Sequence, residues 1–383
     1  MVDSKSVIYS IATKIGTSGL GFVSYQAVKA LLDKGILKTA ISYGNKSDIP
    51  SSYILTLPGN PAKLLFFLPK HYYRPLRKSF FDYVTAKFIS KKGCRVFHGW
   101  NNQSLKSIET AHRIGAKTIL ECGSTHRLFR EKILREEYDR FGVKYPVSPD
   151  FSRESSLKEI DLSDYIFLPS DFTKQTFIDA GVKEEKLFVM QRGVDLERFK
   201  PDGKHFFKKD NNFKVLFVGR LSLRKGVQYL LEAWKRLNLK NAELILAGSV
   251  DDNIKSILRK YYDIGNINFK GFLKDITGVY KESTIFVFPS LEEGSAKVTY
   301  EAMASGLPVI TTKNSGSLIR DNLDGFIIPI RDIDAIIEKI TYFYENPEKV
   351  KIMGANALEN IRFYSWEKYR ENLISVYDKI FSE

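Results

Sequence analysis

Short apolar runs rich in Val, Ile and Phe alternate along the whole chain with longer stretches whose apolar residues recur at helical spacing. In the first half the runs predict strands at Ser6–Ile11, Thr39–Tyr43, Arg95–His98, Thr118–Glu121 and Tyr165–Leu168. Helices are predicted between them, over Leu20–Leu32, Ser104–Ile114 and Thr173–Ala180. The second half repeats the rhythm with strands at Lys214–Val218, Glu243–Ala247, Ile267–Lys270, Ile285–Phe288 and Val309–Thr312. Such alternation predicts an α/β protein of parallel sheets covered by helices on both faces. The polar stretch Glu197–Asn212, with Pro201 and Gly203, interrupts it and marks a linker. The expected plan is an N-terminal Rossmann-like domain over 1–200, a C-terminal one over 201–364, and a terminal helix over 365–383. In that helix Tyr369, Leu373, Val376, Tyr377 and Ile380 share a face, which is expected to pack as core, with the N-terminal domain as one place for it to do so. Ligands of open α/β sheets sit beyond the carboxyl ends of the strands, so a cleft between the two domains is the expected site.

A chain of 383 residues, 43% hydrophobic, fits two soluble domains. No apolar run approaches the roughly 18 residues of a membrane span. The longest, Leu64–Leu68, is expected to be a buried segment. Met1–Gly16 lacks the apolar core and small-residue cleavage site of a signal peptide and reads as a tail entering the first strand. Cys94 and Cys122 alone make no disulfide framework or zinc spacing, which suits a reducing compartment, with the cytoplasm as the expectation. The formal charge of +14 and pI near 9.4 call for an anionic partner: a nucleotide diphosphate, an acidic lipid or a nucleic acid. No helix-turn-helix, zinc-finger or RNA-binding motif accompanies the charge, so no nucleic acid is expected.

The densest chemical signal is PSLEEGSAKVTYEAMASGLPVI, Pro289–Ile310. A predicted strand ends in a loop bearing Glu292, Glu293, Gly294 and Ser295, and a helix follows from about Ala296 to Ser305. Glu293 precedes that helix and Glu301, seven residues further on, lies inside it. Amides at a helix start lack internal partners and favour an anion such as a diphosphate. Carboxylates beside that anion can accept hydrogen bonds from sugar and ribose hydroxyls.

This segment resembles the E-x7-E signature of the family 4 retaining glycosyltransferases, whose fold is GT-B, two Rossmann-like domains with parallel sheets facing across a cleft. Val218-Gly219-Arg220-Leu221 and Arg224-Lys225-Gly226 are similar to a second element of that family, and Phe167–Ser170 and Arg192–Pro201 to two more. The resemblance implies a retaining, metal-independent transfer from a UDP- or GDP-sugar to a glycan or lipid-linked acceptor, in cell-surface polysaccharide or glycoconjugate synthesis. It assigns the donor diphosphate to Arg220 and Lys225, the ribose to Glu301 and the donor sugar to Glu293. Gly219, Gly294, Ser295, Ala296, Lys297 and Val298 complete the donor side. The chain departs from the family at Ala296-Lys297 and at Thr311–Ser317, two loops expected beside the donor. No resident cofactor or metal is expected, the nucleotide-sugar being a substrate, and no Asp-x-Asp occurs in a suitable loop. The other readings are a non-catalytic sugar-nucleotide-binding protein of the same fold and, behind it, a basic nucleic-acid-binding protein.

In the N-terminal half, Gly16–Gly21 follows the first strand and opens a helix. Its G-x-x-G-x-G spacing, with no acid ending the second strand, is not the dinucleotide fingerprint. In the resembled family this loop, here Gly19 and Gly21, approaches the donor. His126, after the strand TILEC, is a candidate for proton handling or for bonding a sugar hydroxyl, weighed against a buried, satisfied histidine. The latter reading leads for His98. Finally, Lys70–Arg95 interleaves aromatics with eight cations against the single acid Asp82. An anionic membrane surface and a solvated helix face are equal readings of it, which would make the protein cytoplasmic or peripheral on the inner membrane face.

Overall fold

The computed structural model describes residues 6–57, 70–201 and 212–382. Leu64–Leu68, the first five residues and most of the Glu197–Asn212 linker lie outside the described residues. Two compact units result, each built on one parallel sheet.

The first unit comprises Met1–Phe129, Pro146–Gln191 and Trp366–Glu383. Its strands are β1 (Val7–Ile11), β2 (Leu37–Ser42), β3 (Ile54–Thr56), β4 (Val96–Trp100), β5 (Lys117–Glu121), β6 (Tyr165–Leu168) and β7 (Leu187–Val189). They run in the order β3-β2-β1-β4-β5-β6-β7, every neighbouring pair parallel. All five residues of β1 and of β4 are buried, because helices cover both faces. These helices are α1 (Leu20–Asp33), α2 (Lys70–Lys92), α3 (Leu105–Arg113), α5 (Asp150–Leu162), α6 (Asp171–Ile178) and α13 (Trp366–Ser382), with α4 (Arg127–Arg140) leaving for the second unit after three residues. Trp366, Tyr369, Leu373, Tyr377 and Ile380 of α13 join the core of Val7, Tyr9, Val23 and Ala27.

The second unit comprises Arg130–Tyr145 and Arg192–Ser365. The sequence suggests boundaries at 200/201 and 364/365, whereas the compact units divide at 191/192 and 365/366 and the stretch from Arg130 to Tyr145 belongs with the second. A buried carboxylate explains that membership. Glu137 is fully buried and accepts hydrogen bonds from Arg331 Nε at 2.7 Å, Tyr229 Oη at 2.7 Å and Gln228 Nε2 at 2.8 Å. A charge so placed must be paired, and its partners are far away in sequence.

The second sheet uses β8 (Phe213–Val218), β9 (Ala242–Ala247), β10 (Ile267–Gly271), β11 (Ile285–Phe288), β12 (Val309–Thr312) and β13 (Gly325–Ile328). Their order is β10-β9-β8-β11-β12-β13, again all parallel. Its helices include α7 (Val227–Leu237), α8 (Lys255–Leu258), α9 (Thr277–Lys281), α10 (Lys297–Ala304), α11 (Ile333–Glu345) and α12 (Pro347–Ile361). In this order the connections turn outward to opposite sides between β8 and β11. Strand order of this kind places ligands at the carboxyl ends of the two strands where the connections part. The loops after these two strands carry Gly219–Lys225 and Pro289–Ala296. Among the described residues no helix is long and apolar enough to cross a membrane.

Candidate active site

The two loops are locked together through backbone. After β8 the chain makes a short turn at Leu223–Lys225 that ends on Gly226, with φ of +68°. A Cβ at Gly226 would lie 1.9 Å from the Pro289 carbonyl oxygen, so only glycine allows this approach. Leu291 N donates to the Arg224 carbonyl at 2.9 Å, and Ser290 Oγ donates to it at 3.2 Å. From the other side Glu293 N donates to Asn314 O and Ala296 N to Ser315 O, both at 2.9 Å. The loop that departs from the family pattern, Thr311–Ser317, is thus what backs Glu293–Ala296.

This backbone frame brings two adjacent cations against two adjacent acids. Arg224 Nε lies 2.8 Å from Glu292 Oε2 and also donates to the Glu292 carbonyl at 2.9 Å. Arg224 Nη2 reaches Glu293 Oε2 at 3.0 Å, and the Lys225 ammonium sits directly against the other oxygen of Glu293. Glu292 is fully buried and Glu293 nearly so. Burial, Arg224 and Arg220 all press the Lys225 ammonium well below the ordinary lysine range, against the pull of Glu292. A cation in that position needs an anion at contact distance.

A second pairing lies one turn further on. Lys297 is the first residue of α10, and its ammonium reaches Glu301 Oε1 at 3.0 Å. The other oxygen of Glu301 accepts from the buried Tyr280 hydroxyl at 3.1 Å. Burial and that carboxylate push the Tyr280 phenol well above its ordinary value, so it stays a donor. No side chain caps α10 and no acid occupies its first turn, and of its first amides Thr299 N donates to the Ala296 carbonyl at 2.9 Å. Ser295 is buried and donates to the Tyr300 hydroxyl at 2.9 Å, so it tightens the loop. Arg220 is different: its side chain is 64% exposed and pairs with Asp251 at 3.3 Å.

The second unit thus gathers Gly219, Arg220, Lys225, Glu293, Gly294, Ser295, Ala296, Lys297, Val298 and Glu301 at the carboxyl edge of β8 and β11. Sequence reasoning assigned no role to Arg224, Glu292, Tyr280 or Asp251. One signal was available for the first two: an Arg-Lys pair and a Glu-Glu pair, each in a loop after a strand. Among the described residues no cluster of His, Cys, Asp and Glu could hold a metal ion.

His126, Gly19 and Gly21 belong to the first unit. His126 follows β5; its ring meets Phe177 edge-on at 5.0 Å and its amide donates to Thr176 Oγ1 at 2.9 Å. Burial holds its pKa below the ordinary histidine value, and among the described residues its Nδ1 has no hydrogen-bond partner. Gly19 starts α1 with φ of +71°, and a Cβ at Gly21 would lie 2.4 Å from the Lys14 carbonyl oxygen. His98 is fully buried, its Nδ1 2.7 Å from the Tyr377 hydroxyl and its Nε2 3.4 Å from Glu121.

Residues 200–360 match the family model described as glycosyl transferases group 1. The match is to this stretch of the chain alone. It contains both Glu293 and Glu301 and the whole second sheet. The chain is 31% identical over 195 residues to an Escherichia coli UDP-Gal:alpha-D-GlcNAc-diphosphoundecaprenol alpha-1,3-galactosyltransferase, covering 46% of this chain and 49% of that protein. It is 28% identical over 232 residues to the Staphylococcus aureus capsular polysaccharide biosynthesis glycosyltransferase CapM, covering 56% and 61%. The matched region thus spans about half to three fifths of the length of these curated relatives.

Solved structures extend the likeness to the first unit. Sucrose-phosphate synthase from Thermosynechococcus elongatus superposes with a TM-score of 0.75 at 18% identity, over 98% of this chain and 99% of that one. Anabaena Alr3699/HepE in complex with UDP gives 0.71 at 15%, over 98% and 100%. At such identities the likeness concerns the fold, which is GT-B: two Rossmann-like units, both present in this chain, the second of them holding residues 200–360.

Proposed function

We propose that this protein transfers a sugar from a UDP- or GDP-sugar to a glycan or lipid-linked acceptor in cell-surface polysaccharide or glycoconjugate synthesis. The observation that carries the reading is the Arg224–Lys225 turn seated on Glu292–Glu293, beside the uncapped start of α10, within the stretch that matches the group 1 family model. Departure of the nucleotide builds negative charge on the diphosphate. Fixed cations and helix amides stabilise that charge without reorganising, which lowers the barrier. Lys225 and Arg220 take the diphosphate. Glu301, oriented by Tyr280 and Lys297, takes the ribose hydroxyls, and Glu293 takes those of the donor sugar. From the first unit, His126 and the loop bearing Gly19 and Gly21 are assigned to the same reaction. A neutral imidazole whose buried Nδ1 lacks a partner among the described residues suits a hydrogen bond to a sugar hydroxyl rather than charge stabilisation. The reaction retains the anomeric configuration, and cations take the part a divalent metal would otherwise play. The names of the relatives support a lipid-linked or capsular acceptor.

The test is a thermal-shift screen against UDP, GDP, ADP and their sugar conjugates, with and without divalent metal, followed by product analysis with the best donor. A ligand at a hundredfold excess over its Kd adds about 2.7 kcal/mol to stability. The expected result is a metal-independent shift with one nucleotide. A shift with no transfer to any glycan or lipid acceptor would favour a binding protein, and no shift at all would remove the donor site.

The acceptor reading extends to the membrane. Tyr72, Leu76, Phe80 and Tyr83 are all exposed along one face of α2, with Lys87 stacked on Tyr83 at 4.4 Å and Lys91 one turn beyond. An aromatic stripe with cations at one end suits an anionic bilayer surface, at about 1 kcal/mol per cation. Sedimentation with vesicles is expected to pull the protein down with anionic lipid and not with zwitterionic lipid. Equal behaviour in both would sink the membrane assignment.

A further inference from the structure

The cations of the site already have anions inside the protein. Arg224 is anchored twice to Glu292, through the carboxylate at 2.8 Å and the carbonyl at 2.9 Å, and Glu292 is fully buried. Glu293 differs. It hangs from the loop with both carboxylate oxygens given over to cations, one to Lys225 and one to Arg224. Two fixed cations converging on two oxygens of one carboxylate is also how a phosphoryl group is held. The two anions cannot share the seat. A diphosphate placed on Lys225 while Glu293 stayed would set like charges within about 4 Å, in surroundings where that repulsion is poorly screened.

We propose that Glu293 is the resident counter-anion of the Lys225–Arg224 pair, and that a nucleoside diphosphate enters by exchanging with it. Arg224 stays in place on Glu292 while the Glu293 side chain leaves the cations. The carboxylate released is the one assigned to the donor sugar, so occupancy of the phosphate seat and readiness of Glu293 become a single event. This rests on the donor reading above and adds to it a prediction of opposite sign to the usual one. Removing a residue assigned to the donor should tighten the binding of a nucleotide that lacks the sugar.

The experiment is calorimetric titration of UDP, GDP and ADP into the wild-type protein and Glu293→Gln at one ionic strength, with the Tm of each nucleotide-free protein as a fold control. The nucleotide that binds is expected to bind Glu293→Gln about tenfold more tightly, since nothing charged has to be displaced. Equal or weaker binding to a folded Glu293→Gln overturns the exchange and leaves the donor reading standing. Binding of no nucleotide to either protein overturns the donor reading and the exchange with it. If Glu293→Gln does not fold, Glu293→Asp replaces it. The shorter acid cannot hold both cations, so it is expected to bind the nucleotide more tightly than the wild type, and failure to do so counts against the exchange in the same way.

Discussion

The two sheets share a parallel plan, yet their buried charges are arranged in opposite ways. In the second unit, Arg224, Lys225, Glu292 and Glu293 meet side chain to side chain at the open end of the sheet. In the first, buried carboxylates are held by backbone or by the core. Asp82 accepts from the amides of Lys106 at 2.7 Å and Ser107 at 3.0 Å, and Glu159 accepts from Ser104 N at 2.9 Å and from Asn102 N. Together they cap α3, whose own N-cap Ser104 makes no side-chain cap bond. His98 and Glu121 are enclosed with Tyr9 and Tyr377. A side chain such as Glu293, whose carboxylate meets only other side chains, can trade partners when an anion arrives. Carboxylates bound to backbone amides cannot leave without unwinding a helix. The first arrangement suits a ligand site and the second suits a scaffold.

Gly226→Ala attacks the first arrangement at its frame and should have the largest effect. The residue lies at φ of +68° and its Cβ would meet the Pro289 carbonyl oxygen at 1.9 Å, so backbone strain and overpacking add. A loss of about 4 kcal/mol is expected in urea denaturation. The Arg224–Lys225 turn should shift away from Glu292–Glu293, and nucleotide binding should go with it. Stability and nucleotide affinity both within error of the wild type would show that the two loops are not locked as described.

The contrast also marks what could be read from sequence. Strands at Tyr165–Leu168, Ile285–Phe288 and Val309–Thr312 were legible residue for residue, because each is an unbroken run buried on both sides. The edge strands Ile54–Thr56 and Gly325–Ile328 were not: the first has three residues with one buried, and the second opens on a glycine and exposes Ile327. The donor motif was legible as a pattern, but the partner of each charge was not. Arg224 lies 69 residues from Glu293, and an arginine after a strand looks like any surface cation until the fold closes on it. The membership of Arg130–Tyr145 was hidden for the same reason, since it depends on Glu137 meeting Arg331 194 residues away.

The second arrangement is tested through pH, with a smaller effect. Burial raises the Glu159 carboxyl from its ordinary range to about 8, a shift that its amide donors and Lys78 oppose and Asp82 reinforces. An acid whose folded-state pKa stands above its unfolded value gives stability that is fully present below the unfolded value and is lost as pH rises through about 8. The wild-type protein should therefore lose roughly 2 to 3 kcal/mol between pH 5 and pH 8 through this group. His126, held below its ordinary value, acts in the opposite sense as pH falls, so the comparison must be made against a variant rather than read from one curve. Glu159→Gln keeps the shape and removes the titration. Urea denaturation across this range should give a flatter pH dependence for the variant, its disadvantage greatest at pH 5 and shrinking toward pH 8. Parallel curves would mean that Glu159 stays ionised throughout, its amide donors outweighing burial. The α3 cap would then be a permanent anion and not a carboxyl that charges near neutrality.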